Sequence, residues 1–144
     1  MRRLFAISFF FFSLTAYAQK LKQGIRGQVY WTSGNQMPGP GVKPSPQLGV
    51  QREIFIYELV SLKDCEQKDG FFTSVSSRLI TTALSKPDGA FKIKLPPGRY
   101  SVFVKEPKGL FANSFDKNSF INPITVIERR FAPVTILINY QAAY

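Results

Sequence analysis

The sequence contains no histidine and only one cysteine, Cys65. The absence of histidine excludes Ser-His-Asp and Cys-His catalytic arrangements and every zinc site that uses an imidazole ligand. One cysteine can form neither a cysteine-only metal site nor an intrachain disulfide. A serine–lysine dyad or a carboxylate pair stays formally open, but the 9 acidic residues fall mostly in predicted turns or at strand edges. We therefore expect no enzymatic activity and no cofactor or metal.

The acidic residues around Cys65 also argue against a catalytic or metal-binding role. Asp64 and Glu66 flank the thiol and raise its expected pKa, which predicts a small, unreactive side chain rather than a nucleophile. Asp64, Glu66 and Asp69 could supply oxygen ligands for calcium, but their spacing does not match an EF-hand loop and lysines lie between them. A solvated hairpin turn closed by Asp69-Gly70 is the favoured interpretation.

No apolar run is long enough to span a membrane. The longest follows Arg2 and Arg3 at the N-terminus, is shorter than the ~20 residues that a transmembrane helix needs, and ends near Ala16-Tyr17-Ala18. A basic start, a short apolar run and a small-x-small site are typical of a signal peptide. We predict cleavage of residues 1–18, a secreted or periplasmic protein, and a single domain at 19–144 without a transmembrane segment.

The charge is strongly positive but not clustered. The net charge is +10, and without residues 1–18 it is +8, from 17 basic and 9 acidic residues. The basic residues are scattered, and no run of them exceeds two. This distribution argues against a nucleic-acid partner and favours solubility with some affinity for anionic envelope polymers.

Helical periodicity is nearly absent, and alternation with a period of two dominates the chain. The segment at 53–59 is apolar on both faces, which predicts an inner strand, and Pro123 predicts an edge strand or a bulge. The predicted strands cover 24–31, 53–59, 77–84, 91–95, 99–105, 121–127 and 133–140. About seven short strands separated by turn signals predict an all-β chain folded as a β-sandwich.

The stretch PDGAFKIKLPPGRYSVFV, at 87–104, contains two turn signals, Pro87-Asp88-Gly89 and Pro96-Pro97-Gly98. A phosphate-binding loop would place its glycines at the start of a helix, whereas a β-branched and aromatic segment follows Gly98. The stretch therefore predicts two strands joined by a tight turn, as in a β-hairpin or meander.

The same stretch resembles the signature DGxFxIxLPPGxY of carboxypeptidase regulatory-like domains, and GIRGQVYW at 24–31 is similar to the opening strand of that family. The matching positions are Asp88, Gly89, Phe91, Ile93, Leu95, Pro96, Pro97, Gly98 and Tyr100. The resemblance implies a single Ig-like or transthyretin-like Greek-key β-sandwich of about seven strands. It also implies a non-catalytic accessory module, here a stand-alone secreted bacterial one.

Two long connections, 32–50 and 106–120, lie outside this signature. The first is rich in Gly and Pro and predicts irregular structure. The second supplies the candidate binding loop, with Leu110, Phe111, Asn113 and Phe115. We expect its aromatic residues, including Phe120, to cap one open end of the sandwich. The alternative is an exposed patch for a protein or a glycan.

These observations lead to a secreted or periplasmic, non-catalytic module that binds another envelope or secreted protein, or an envelope polymer. The alternative is a carbohydrate-binding module, which would require Tyr30, Trp31, Phe111 and Phe115 to lie on one face. A third hypothesis is assembly by strand addition at an open sheet edge. The strand with Pro123 is a poor acceptor for such pairing.

Overall fold

The structure, a computed structural model, describes residues 22–144. The predicted signal peptide at 1–18 lies outside the described residues. Apart from a short 3₁₀ helix, Leu62–Asp64, the regular structure there is all strand. Strands β1 to β11 are Gly24–Asn35, Leu48–Gly49, Glu53–Glu58, Cys65–Lys68, Phe71–Val75, Leu79–Leu84, Ala90–Lys94, Gly98–Glu106, Gly109–Phe111, Pro123–Val126 and Phe131–Ala143. No helix within 22–144 is long and apolar enough to cross a membrane.

The strands form two sheets that pack as a sandwich, which confirms the predicted fold class. In the smaller sheet, β1 pairs in parallel with β11 on one side and antiparallel with β2 and β7 on the other. In the larger sheet the order is β4-β5-β9-β8-β3-β6, and β10 pairs with the first half of β8. The inner strand predicted at 53–59 is β3, between β8 and β6.

All seven predicted strands are present, but the predicted number was too low, since residues 22–144 form eleven. The four additional strands, β2, β4, β5 and β9, have between two and five residues, too few to show a clear alternation. The turn between β4 and β5 was predicted correctly. Asp69 and Gly70 both have positive φ, 53° and 83°, as a two-residue type I′ hairpin turn requires.

The main core lies between the two sheets, where buried apolar side chains from both sheets and the Tyr100 ring form one continuous cluster. The alternation predicted for β1 and β7 is confirmed, because Ile25 and Val29 face this core together with Phe91 and Ile93. From the larger sheet, alternate residues of β3 and β8 complete it: Ile54, Ile56, Tyr100, Val102 and Val104.

The signature stretch forms two strands, but the prediction of a hairpin was wrong. Strand β7 pairs with β1 in the smaller sheet, whereas β8 pairs with β3 in the larger one. Pro96 and Pro97 have no N–H groups to continue a ladder, so the chain crosses from one sheet to the other. The Tyr100 hydroxyl donates a hydrogen bond of 2.6 Å to the Pro96 carbonyl, which closes this corner.

The turn at Gly89 is a β-turn that rests against β1. The Gly89 N–H donates to the Lys86 carbonyl at 2.8 Å, and the Ala90 N–H donates to Asp88 Oδ1 at 3.0 Å. Gly89 has a φ of 89°, and a Cβ there would lie 2.2 Å from the Val29 carbonyl oxygen. Only glycine satisfies both constraints.

Candidate functional site

The larger sheet is apolar on both of its faces, and this organises the candidate site. Along β3, Ile54 and Ile56 face the main core, so Phe55 and Tyr57 point to the outer face. Phe103 of β8 lies opposite Phe55 in the ladder. The outer face of the sheet thus carries large aromatic side chains where an ordinary sandwich sheet carries polar ones.

A second apolar cluster covers one end of this outer face. Its buried members are Val60, Phe72, Phe103 and Ile121. The Ile121 N–H donates to the Val60 carbonyl, and the Val60 N–H donates to the Ser101 hydroxyl, both at 2.9 Å. Ile121 follows the predicted binding loop, so this part of the chain covers the outer face of a sheet. This arrangement differs from the sequence-based prediction that the loop caps an open end of the sandwich.

The other end of the outer face remains open as a groove of about 470 Å³, which we call the outer groove. Phe103 lies beneath it and packs edge-to-face on Tyr57 and Phe72, with ring centroids 5.5 and 5.3 Å away. The groove is lined by Phe55, Tyr57, Phe72, Thr73, Ser74, Val75, Lys105, Pro107, Lys108, Gly109 and Leu110, with part of Glu106.

The rim of the outer groove is basic. Lys105 and Lys108 both line it and both are exposed. Lys105 Nζ lies 3.9 Å from Glu53 Oε2, and both side chains are exposed, so this contact is weak and leaves Lys105 free to exchange Glu53 for a ligand carboxylate. The charge of the rim has the same sign as the net charge of the described chain, in which basic residues outnumber acidic ones.

The structure separates the four residues of the predicted binding loop. Leu110 lines the outer groove, opposite Phe72 in the ladder. Phe111, the next residue along β9, faces the main core and is only 6% exposed. Asn113 donates to the Leu137 carbonyl at 3.1 Å, which ties it to β11. Phe115 is 48% exposed but lies outside the groove.

Most of the groove residues were not predicted as a site. The sequence places Phe55, Tyr57 and Phe103 in predicted strands, and the two rim lysines belong to its scattered basic residues. The sequence did contain a signal, since β3 is apolar at four consecutive positions, 54–57, between Glu53 and Glu58. Such a strand predicts that both faces of its sheet are covered or bind something.

The rings required for the carbohydrate-binding alternative do not form one exposed face. Phe111 is buried, whereas Phe115 is exposed and lies in the loop before Ile121, outside the outer groove. Trp31 is half-buried at the edge of the main core, with the Arg52 guanidinium 5.7 Å from its ring centroid. Tyr30 is half-buried on β1.

The buried carboxylate of Glu106, in β8, lies on the core side of the larger sheet and connects the two sheets. The Glu106 side chain is 1% exposed, and Arg52 Nε donates to its Oε1 at 2.7 Å. The Tyr140 hydroxyl donates to its Oε2, also at 2.7 Å. Burial, and then this bond and the nearby charge of Glu106, raise the pKa of Tyr140 to about 12 despite the opposing effect of Arg52. Both carboxylate oxygens are occupied, so the network has a structural role.

The only cysteine is half-buried beside the 3₁₀ helix. Its Sγ lies 3.2 Å from the Leu62 carbonyl. Burial, and then the charge of Asp64, raise the pKa of the Cys65 thiol, which confirms the direction expected from the sequence. Among residues 22–144, no group of three or more acidic or cysteine side chains is arranged to hold a metal ion.

No protein-family description, curated protein or solved structure matches this chain.

Proposed function

We propose that the protein is a secreted or periplasmic, non-catalytic binding module. Its outer groove holds an extended, apolar and negatively charged segment of another envelope or secreted protein. The observation that carries this proposal is the outer groove itself, an aromatic surface with a lysine rim on the open half of a sheet face.

The apolar lining supports a hydrophobic ligand. Phe55, Tyr57 and Leu110 are only half-buried, although they are contiguous with the fully buried Phe103 and Phe72. Contiguous apolar surface with a polar rim typically marks an interaction site on a folded protein. An extended segment suits the groove because its floor runs across neighbouring strands of a sheet.

The rim supports negative charge on the ligand. Lys105 and Lys108 flank the apolar lining, and a carboxylate near either would form a charge-assisted hydrogen bond. The positive field of the whole chain would also speed the encounter with an acidic partner.

The non-catalytic part of the proposal rests on composition and on the resemblance to accessory domains. The chain has no histidine. The one buried carboxylate of the described residues, Glu106, has both oxygens engaged by Arg52 and Tyr140. Such a carboxylate is not free to act as a general base.

Two labelled peptides test this function by fluorescence anisotropy, one alternating leucine with glutamate and one alternating leucine with lysine. We expect residues 19–144 to bind the acidic peptide at least tenfold more tightly, with an affinity that falls as salt is added. Leu110→Asp should abolish binding, and the double variant K105E/K108E should reverse the preference between the peptides.

Lys117→Glu and Phe115→Ser serve as matched controls, because they change exposed residues outside the groove. Equal binding of both peptides, or binding that survives Leu110→Asp, would contradict the proposal. Binding of a neutral oligosaccharide such as cellohexaose, in place of either peptide, would favour the carbohydrate-binding alternative instead.

A further inference from the structure

Strand β6 is an open edge of the larger sheet with an unusual sequence. It reads LITTAL, with no charged residue and no proline. It pairs with β3 on one side, and within residues 22–144 no strand pairs with its other side. An uncharged, β-branched edge of six residues is a template for pairing with another strand.

The other edges of the two sheets carry features that block such pairing. Strand β4 has Glu66 and Lys68, and β10 begins with Pro123. On β11, the side chain of Asn113 occupies the Leu137 carbonyl, and Pro133 lacks an N–H. Strand β2 has only two residues, and β7 alternates with lysines. Among the edge strands of the described residues, β6 alone is longer than two residues and free of both charge and proline. One of its carbonyls, that of Thr82, accepts a long hydrogen bond of 3.4 Å from the hydroxyl of its neighbour Thr81, which a pairing strand would have to displace.

A bulge in β6 places both of its leucines on the outer face. Leu79 lies opposite Tyr57 and Leu84 opposite Glu53, while Ile80 is the extra residue and packs against the main core. The leucines are five positions apart and would otherwise point to opposite faces. Leu79 is 45% exposed and Leu84 is 65% exposed.

We propose that β6 pairs antiparallel with β6 of a second copy of this chain, about a two-fold axis at Thr82. In this register Thr82 lies opposite Thr82 of the second copy, and Thr81 opposite Ala83. With Ile80 again bulged, Leu79 then lies opposite Leu84. Every pair joins residues of the same face, as antiparallel pairing requires.

The self-complementarity of β6 favours a second copy over an unrelated strand. Each leucine pair covers two side chains that are otherwise exposed, and the two-fold produces two such pairs. The flanking cations do not meet, because Arg78 falls opposite Ser85 and Lys86 falls opposite Ser77. Like charges directly opposite each other would destabilise the pair.

Sedimentation equilibrium of residues 19–144 tests this dimer. We expect a concentration-dependent dimer whose dissociation constant rises at least 100-fold in L79K/L84K, because the new lysines face each other across the two-fold. The variant L79K/L84E should restore dimerisation, since each new lysine then faces a new glutamate. A leucine contact without this register would predict no such restoration.

Crosslinking tests the axis directly in a Cys65→Ser background. We expect Thr82→Cys to form an intermolecular disulfide, and Thr125→Cys, an exposed position on β10, to form none. A wild-type protein that stays monomeric at millimolar concentration, or a dimer unaffected by L79K/L84K, would overturn the proposal. Circular dichroism verifies that each variant folds. The peptide binding proposed above uses other residues, so L79K/L84K should retain it, and the two proposals fail separately.

Discussion

At the scale of single residues, the buried Glu106 carboxylate has both of its oxygens engaged by side chains from other elements. A buried carboxylate is costly unless its oxygens are satisfied. Here Arg52 satisfies one from the connection before β3, and Tyr140 satisfies the other from β11 of the opposite sheet. The centroid of the Tyr140 ring also lies 4.9 Å from that of Phe71 and 5.3 Å from that of Trp31. The phenol is therefore held in its neutral, donating form by burial and by its hydrogen bond to Glu106.

This network predicts an alkaline limit to stability that depends on Tyr140. The folded-state pKa of about 12 lies above the usual value of 10.0, so the folded state holds its proton more tightly than the unfolded state. The Tyr140 hydroxyl therefore contributes fully to the free energy of unfolding below about pH 10, and this contribution is lost as the pH rises towards 12.

We expect Tyr140→Phe to lower the free energy of unfolding by about 1–2 kcal/mol at neutral pH, a figure reduced for the partial exposure of the ring. In urea titrations at several pH values, this difference from wild type should shrink towards zero near pH 12. A difference that stays constant between pH 8 and pH 12 would show that the proton on Tyr140 is not involved.

At the scale of elements, the turn residues in the sequence predict where strands begin and end, but not which strands pair. The turns at Gly89 and Asp69-Gly70 depend on residues whose φ preferences are visible in the sequence. The partner of β7 is not visible in this way. It is fixed by the long β1, which pairs with β11 and leaves its other edge to β7. Alternation shows which face of a strand is apolar. It does not show which of two sheets the strand joins when both sheets present a similar apolar face.

The corner after β7 predicts a specific role for one hydroxyl. Tyr100 is buried, and its hydroxyl bond to the Pro96 carbonyl fixes the crossing between sheets. We expect Tyr100→Phe to cost about 1 kcal/mol of unfolding free energy, because the carbonyl loses its donor while the ring stays packed. Tyr57→Phe, on a half-exposed ring of the same sheet, is the control and should change stability by less than about 0.5 kcal/mol. Equal losses of unfolding free energy for the two substitutions in denaturant melts would show that the Tyr100 hydroxyl does not stabilise the crossing between the sheets.

At the scale of the whole molecule, the candidate site shows where sequence patterns stop being informative. Leu110 could be selected from the sequence because aromatic and apolar residues are conspicuous in a predicted loop. The apolar pattern of β3 marks Phe55 as covered or bound, but Phe55 and Lys105 could not be assigned to one groove, since they lie on different strands whose pairing the sequence does not show. The groove that they line forms only when β3, β8, β9 and β5 lie side by side and one face is left partly uncovered. That is a property of the sheet order, which depends on contacts distant in sequence.

The two proposals together predict how the grooves are arranged. A two-fold axis perpendicular to the joined sheets keeps both outer faces on the same side. Strands β8 of the two copies would then be five strand spacings apart, or roughly 24 Å. A flexible Gly/Ser linker of about 20 residues has a root-mean-square length close to this span.

Two copies of the acidic probe peptide joined by such a linker should therefore bind the wild-type protein at least about tenfold more tightly than one copy, because the second contact becomes intramolecular. The measurement is fluorescence anisotropy at a protein concentration above the dimer dissociation constant. The monomeric variant L79K/L84K is the matched control, since its groove is intact, and it should show only the twofold statistical gain of two sites on one ligand. A larger gain that persists in L79K/L84K would mean that the two sites lie within one copy, and the proposed arrangement would be wrong.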